Sequence, residues 1–509
     1  MEGPNMIRSY TWQRIAVGTI FIIWGSIMTN QLTLGAMTHH SRAGFDGIHV
    51  ILPGDYADPS IVRDGDDFYM THSSYDYFPG LLIWHSKDLV HWKRLTHALH
   101  TPIRDVWAPD FVKHDDLFYI YFPAAGTNWV ITAEYPAGPW SEPVDLEVGG
   151  IDPGHIATPN GERYLHLSGG YVCRLAADGL SVLDRPQQNY DGWDYPSDWV
   201  VESFALESPK LVYREPYYYL VSAQGGTAGP STSHMVVAAR ATTPTGPWEN
   251  SPYNPIVRTW DRSERWWSKG HGTIFDDGKG NWYIVYHAYR NGHYPLGRHT
   301  LLEPIVWTED KWFHTRRDGR IEGAVRTVDN MIPHDDDFGG TSLNLQWRFS
   351  GLDNQEGIVL KDGVLHMPTQ TGNPLILHVV NNSPSFEATV LLEVEGDAEA
   401  GLFTYYNESA RTGIAVKNGA SFFIDRHKRI PGPDIEGAQQ LYLRIRQDRY
   451  DLSAFVSLDG EQWRMSRNAA EVSSFQHNLL GGFSSLKIAI RGEGDGVIRV
   501  KDFRYVALD

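Results

Sequence analysis

Hydrophobic and polar positions alternate with a period of two over much of the chain. Phe386-Glu387-Ala388-Thr389-Val390-Leu391-Leu392 and Leu441-Tyr442-Leu443-Arg444-Ile445-Arg446 are examples. A period of two puts alternate side chains on opposite faces of a strand, so these segments predict half-buried strands. Past residue 50 there is little helical periodicity. The apolar runs are short and end at turn signals such as Asp64-Gly65, Asn160-Gly161, Asp178-Gly179 and Asp277-Gly278, where glycine permits backbone conformations that other residues resist. The pattern predicts an all-β protein.

Between residues 55 and 313 a weak repeat is superimposed on this pattern. Units open at Asp58-Pro59-Ser60-Ile61-Val62, Ala108-Pro109-Asp110-Phe111-Val112, Asp152-Pro153-Gly154-His155-Ile156, Glu207-Ser208-Pro209-Lys210-Leu211 and His271-Gly272-Thr273-Ile274-Phe275. Each proceeds through a turn to a second aromatic-rich strand. Five strand–turn–strand units at a period of about 50 residues predict the blades of a propeller. One blade cannot bury both its faces, so blades must stack around an axis. The start of each unit is then an innermost strand, and equivalent positions surround one central cavity.

The polar stretch around Thr315-Arg316-Arg317-Asp318-Gly319-Arg320 and the acidic His334-Asp335-Asp336-Asp337 mark a boundary, and the alternating region beyond it lacks the repeat. The expected organisation is a signal peptide or anchor over 1–37, a linker over 38–51, a five-bladed β-propeller over 52–315, a linker over 316–335 and a β-sandwich over 336–509. In the first segment Arg8 and Arg14 precede the apolar run Ile15–Met28. That run is short for a membrane span and suits the apolar region of an export signal. The expectation is therefore a secreted or extracytoplasmic protein, the alternative being an uncleaved anchor through residues 15–37.

Composition narrows the function. A formal net charge of -18 argues against a nucleic-acid partner, which needs a basic face. The single cysteine, Cys173, cannot form an intrachain disulfide, and its apolar surroundings predict a small buried residue. The 18 Trp and 26 Tyr are mostly material for β-rich cores, with a few left to serve as platforms for sugar rings. The histidines show no metal-ligand spacing.

Asp58, Asp152 and Glu207 occupy near-equivalent positions at the starts of units one, three and four. An aspartate at such a position, taken alone, is more often a turn former. Recurrence around one axis favours chemistry. Glycoside hydrolysis needs one carboxylic acid to protonate the leaving oxygen and one carboxylate to activate water or attack directly. A third acidic group can raise the acid's pKa.

Residues 52–313 resemble glycoside hydrolase family 43, five-bladed-propeller β-xylosidases and α-L-arabinofuranosidases. The resemblance rests on Tyr56-Ala57-Asp58-Pro59-Ser60, Tyr77-Phe78-Pro79-Gly80-Leu81, Val106-Trp107-Ala108-Pro109, Gly150-Ile151-Asp152-Pro153, Gln224-Gly225-Gly226-Thr227, Gly270-His271-Gly272 and Leu296-Gly297-Arg298, in that order. It implies Asp58 as general base, Glu207 as general acid and Asp152 as the residue that tunes and orients that acid. It implies Arg298 as a contact to substrate hydroxyls, Trp107 and Phe78 as aromatic walls, and His271 as an axial histidine beside a water or a calcium ion. No cofactor is required on this reading, and calcium is left open. The C-terminal half resembles the jelly-roll, concanavalin-like sandwich appended to family-43 xylosidases, through Leu345-Gln346-Trp347, Gly401–Glu408 and Ser457–Trp463.

The expected function is an inverting exo-glycosidase acting on terminal pentosyl units of plant-type oligosaccharides or polysaccharides, β-xylosidase first. An α-L-arabinofuranosidase or galactan-active enzyme is the alternative. A glycan-binding propeller without catalysis is disfavoured by three intact carboxylates. One departure from the family stands out: Glu207-Ser208-Pro209-Lys210 replaces the Glu-Gly-Pro-His common in xylosidases. It leaves the identity of the sugar open, because a lysine there could hydrogen-bond a different hydroxyl or pair with a carboxylate.

Overall fold

The computed structural model describes residues 47–315, 332–351 and 355–508. The N-terminal segment read as a signal or anchor, and most of the linker over 316–335, lie outside the described residues. Among the described residues, no helix is long and apolar enough to cross a membrane.

Five antiparallel sheets follow one another from His49 to Thr315. The first is built from Ser60–Asp64, Asp67–Thr71, Gly80–Ser86 and Lys93–Leu99, and the second from Asp110–His114, Leu117–Ala124, Thr127–Ala133 and Val144–Asp145. The third comprises Gly154–Ala157, Arg163–Leu167, Tyr171–Leu175 and Gln187–Gln188. Glu207–Arg214, Tyr217–Gln224, Met235–Ala241, Glu249–Asn250 and Val257–Arg258 form the fourth. In the fifth, Trp266–Asp276, Trp282–Arg290 and Arg298–Trp307 are joined by Phe313–Thr315 and by His49–Leu52. His49 pairs opposite Leu302 and Val50 opposite Leu301. Residues 49–51, read from sequence as linker, thus belong to the fifth sheet and fasten the start of the propeller to its end. The alternation there is too short to announce a strand.

The blades bury apolar faces against each other. Val221, Val236, Ile284 and Leu301 are fully buried in the seam between the fourth and fifth blades. Side chains of this size each contribute about 1.5–3 kcal/mol on complete burial. Near the axis the packing reaches the backbone. A Cβ on Gly154 would stand 1.4 Å from the Pro209 carbonyl oxygen, so the third and fourth blades approach as only a glycine allows.

From Arg348 onward the chain forms two packed sheets. One has the order Lys428–Pro431, Ala420–Asp425, Ala410–Lys417, Glu399–Asn407, Lys487–Glu493, Leu375–Val380, Arg348–Ser350. The other has the order Val359–Lys361, Val364–Thr369, Gly496–Ala507, Phe386–Gly396, Gln440–Asp448, Asp451–Ser457, Arg464–Glu471. Phe386–Gly396 alternates buried and part-buried positions along most of its length, as its sequence pattern requires. Together the sheets form the expected β-sandwich.

The propeller's Tyr77–Phe78 adds an eighth strand to the edge of the first of these sheets, with Phe78 opposite Phe349 and Tyr77 opposite Ser350. This capping removes an open edge that would otherwise be available for pairing. Buried Lys487 reinforces the junction by donating to Tyr77 Oη at 2.9 Å and Ser484 Oγ at 2.6 Å.

Candidate active site

Asp58, Asp152 and His271 all have positive φ, 59°, 54° and 59°, and Ser208, next to Glu207, has φ 53°. Asp58, Asp152 and Ser208 lie at or near the start of an innermost strand, and His271 lies at the bulge within Trp266–Asp276. The left-handed conformation is uncommon for residues other than glycine, although Asp and His adopt it more readily than most. Such strain persists only where the surroundings impose it. His271 is hemmed in further, because a Cβ on the preceding Gly270 would lie 2.3 Å from His234 Nδ1. The Gly270-His271-Gly272 pattern is thus a packing requirement around His234 as well as a family mark.

These chain starts converge on one cavity of about 250 Å³, lined among others by Asp58, Asp152, Glu207, His271, Arg298 and Trp107. Trp107 is 37% exposed there. Phe78 is not among the lining residues. It sits in the strand paired to the sandwich, and nearby Tyr75 lines the cavity instead. The other aromatic wall comes from the sandwich: Phe483, whose ring lies 5.5 Å from the Arg298 guanidinium carbon. Phe483, Tyr75, Glu202 and Thr227 also line this site, and none of them was expected there from the sequence. Phe483 carried no signal there, since its contact depends on how the domains dock. Thr227 sat in a segment already matched to the family, and only its side chain went unremarked.

Asp58 is buried and surrounded by donors. Ser73 Oγ donates to its Oδ2 at 2.5 Å and Arg298 Nη1 to its Oδ1 at 3.2 Å. His287 Nδ1 lies 3.0 Å from Oδ1 and 3.2 Å from the Asp58 N–H. One nitrogen cannot both accept from that N–H and donate to the carboxylate, so Arg298 and Ser73 are the firm partners. Burial, the largest single effect, would raise the Asp58 pKa, but Arg298, His271 and His287 together outweigh it and hold the carboxyl well below its usual range. Arg298 is itself fixed by Nη2 donating to Tyr75 Oη at 2.7 Å and by its backbone N–H donating to Asp55 Oδ1 at 3.0 Å.

Glu207 behaves in the opposite way. Burial, and then the negative charge of Asp58, push its pKa up to about 7. Asp152 is likewise raised, first by burial and then by Glu207 and Asp58, against the pull of Lys210. Oxygens of Asp152 and Glu207 and a nitrogen of His271 all lie within 4.8 Å of one another. Two carboxyls that close titrate as a pair. One fold therefore holds one carboxylate ionised and a neighbouring pair reluctant to ionise.

The lysine of Glu207-Ser208-Pro209-Lys210 does not face the cavity. Its buried ammonium donates to the Pro109 oxygen at 2.8 Å and the Pro153 oxygen at 3.0 Å, and pairs with Asp110 at 3.1 Å. It ties the second, third and fourth blades together near the axis. Of the two options read from sequence, pairing with a carboxylate is the one seen.

His271 Nε2 is buried with no hydrogen-bond partner among the described residues, so it has room for one water or one ligand contact. Calcium takes six to eight oxygen ligands. The grouping Asp58, His271 and His287 offers one carboxylate already held by an arginine. The grouping with Asp152 and Glu207 lies within the field of the Lys210 ammonium. Neither makes a calcium cage from protein groups alone.

Residues 49–313 match the family model "Glycosyl hydrolases family 43", and residues 335–490 match "Beta xylosidase C-terminal Concanavalin A-like domain". The chain is 32% identical over 369 residues to the non-reducing end alpha-L-arabinofuranosidase BoGH43B of Bacteroides ovatus, covering 66% of this chain and 66% of that protein. It is 26% identical over 512 residues to a beta-xylosidase of Bacillus subtilis, covering 85% of this chain and 93% of that protein. The crystal structure of the GH43 protein BlXynB from Bacillus licheniformis superposes with a TM-score of 0.79 at 25% identity, over 91% of this chain and all of that one. With more than half its length matched to the catalytic model and its carboxylates gathered at the mouth of a five-bladed propeller, the chain belongs to glycosyl hydrolase family 43 and is a glycoside hydrolase.

Proposed function

We propose that the enzyme removes single terminal pentosyl units from xylan-derived chains with inversion, as a β-xylosidase. The observation that carries this reading is the pair of opposed pKa shifts in one small cavity. Asp58 is held ionised, and Glu207 keeps its proton to about pH 7. Asp58 suits a general base and Glu207 a general acid. A water between Asp58 and the sugar attacks the anomeric carbon and gives its proton to Asp58. The bond to the leaving oxygen breaks, and that oxygen takes the Glu207 proton. Arg298, with Nη1 on Asp58 and Nη2 on Tyr75, is placed to orient both the base and a sugar hydroxyl. After burial, the negative charges of Asp58 and Glu202 keep Glu207 protonated, and Asp152 titrates with it as a pair. A cavity of about 250 Å³ walled by Trp107, Tyr75 and Phe483 suits one terminal sugar and thus exo action.

The xylosidase-type C-terminal match and the near full-length likeness to a beta-xylosidase support xylose as the sugar. Arabinose is the second reading, supported by the 32% identity to an arabinofuranosidase. A panel of nitrophenyl β-D-xyloside and α-L-arabinofuranoside separates them, with the xyloside expected to give the higher kcat/KM. NMR during the first turnovers should show the inverted anomer first, and a retained anomer would overturn the mechanism.

The pH profile follows from the same groups. Activity needs Asp58 ionised and Glu207 protonated, so kcat/KM should fall on the alkaline side near pH 7 and on the acid side only below the usual carboxylate range. Asp152 is itself held protonated where Glu207 titrates, so Asp152→Asn leaves Glu207 to titrate alone: the alkaline limb should stay near pH 7 while the rate falls strongly for want of the group that orients the acid. A near-normal rate would reduce Asp152 to a turn-forming residue, since Asn makes similar turns.

A further inference from the structure

A second cleft, of about 410 Å³, opens beside the fourth blade and is lined by Trp199, Trp260, Arg258, Asp198, Thr232 and Arg262 among others. Strand directions place it on the same face as the catalytic cavity. Glu207–Arg214 leaves the cavity and Tyr217–Gln224 returns to it, so the segment 225–234 lies at the cavity face. Met235–Ala241 leaves again. Val257–Arg258 is antiparallel to it, with Arg258 opposite Met235, so the segment 259–265 also emerges on that face. The third segment, 189–206, leads directly into Glu207. Two of these segments serve both hollows: Glu202, Gly226 and Thr227 line the catalytic cavity, while Trp199, Val200 and Thr232 line the cleft.

The cleft is built, not merely open. Thr232 Oγ1 donates to the Val200 oxygen at 3.1 Å, the Glu202 N–H to Ser233 Oγ at 2.7 Å and the Ala228 N–H to Glu202 Oε2 at 3.0 Å, which lashes the segments together. The Arg258 guanidinium carbon sits 3.5 Å from the Trp199 ring centre, and its Nε donates to the Thr232 oxygen at 3.2 Å. Trp260 meets Trp199 edge to face, ring centres 5.5 Å apart and planes at 82°, and Trp193 meets Trp199 at 5.9 Å. Trp199 is thus held on several sides, whereas Trp260 is 50% and Val200 61% exposed. Both line the cleft, so the exposed surface is a shared apolar patch and not an isolated side chain.

An aromatic platform rimmed by Asp198, Thr232 and Arg262 matches a sugar ring, apolar on its C–H faces and hydroxylated at its edge. We propose that this cleft binds the remainder of the glycan, the sugars on the leaving-group side of the one held in the catalytic cavity. It would select oligosaccharides over small glycosides. The inference rests on the exo-glycosidase reading above, and the continuity of the segments 198–207 and 226–232 between the two hollows is what links them.

The test uses the full chain. Trp260→Ala should lower kcat/KM for xylotetraose roughly three- to ten-fold, chiefly through KM. The value for nitrophenyl β-D-xyloside, whose aglycone is a single ring and extends no further than the first leaving-group position, should stay within about two-fold. Trp260→Phe, which keeps a platform, should recover most of the loss. In parallel, xylotetraose titrated into Glu207→Gln protein should bind more weakly when Trp260→Ala is added. This measurement needs no turnover, so it stands apart from the hydrolytic assignment. If wild-type enzyme failed to cleave xylosides while the Glu207→Gln protein still bound xylotetraose through Trp260, the proposed activity would fall and the cleft would stand. Unchanged binding and kinetics in Trp260→Ala, or equal losses on both substrates, would overturn the cleft assignment.

Discussion

Asp58→Asn should reduce kcat/KM by roughly 10²–10⁴, on natural and activated substrates alike. Asparagine is nearly the shape of aspartate and tolerates the positive φ at this position, so the backbone need not move. What disappears is the proton acceptor. Arg298, buried and previously paired with Asp58 at 3.2 Å, also loses its counter-charge. Leaving a buried charge without its partner typically costs about 3–5 kcal/mol. Tyr75 and the other neighbours of Arg298 soften that cost without removing it. The companion variant Glu207→Gln should behave differently. An activated leaving group departs without a proton, so nitrophenyl glycosides should recover much of the rate that xylobiose loses. Equal losses on both substrates in Glu207→Gln would exchange or dissolve the roles assigned to the two residues.

Gly154→Ala is expected to destabilise the protein as strongly as any single methyl group added to it. The new Cβ would meet the Pro209 carbonyl at 1.4 Å. The obstacle is backbone, not the end of a flexible side chain, so two blades would have to part. Overpacking of side chains costs about 1–3 kcal/mol, and a backbone clash of this depth belongs at or beyond the upper end. The damage would reach catalysis too. Asp152 stands two residues before Gly154, Glu207 two residues before Pro209, and Lys210 bridges the two blades through the Pro153 oxygen. Gly149→Ala is the matched control, because nothing lies within 4 Å of its added Cβ. Thermal unfolding and kcat/KM measured for both should show a large drop in each for Gly154→Ala and little change for Gly149→Ala. A wild-type melting temperature in Gly154→Ala would show that the blades can slide apart cheaply.

The carboxylates were legible in the sequence because repetition converts sequence position into spatial position. Asp58, Asp152 and Glu207 begin equivalent units, and stacking those units leaves their first residues facing one space. The alternation at Phe386–Gly396 announced its strand for a similar reason, since a regular period survives any detail of packing. The remaining features depend on contacts that no periodicity encodes. Phe483 reaches the cavity from another domain. Phe78, close in sequence to cavity residues, is drawn away by pairing with Phe349. Lys210 follows Glu207 by three residues but points toward carbonyl groups near the axis. His49–Leu52 is identifiable as a strand only once Arg298–Trp307 stands beside it.

The shared strand Tyr77–Phe78 bears on how such enzymes could be recombined. A chimaera that joined this propeller to a foreign sandwich would inherit Asp58, Asp152 and Glu207 intact. It would change the wall opposite, because Phe483 belongs to the grafted half. It would also have to match a two-residue splice at the sheet edge and a lysine aimed at Tyr77. The functional module is therefore larger than the propeller. Its natural seam runs through the sandwich, behind Phe483 and Lys487, so inheritance of substrate preference should follow the C-terminal half as well as the N-terminal one.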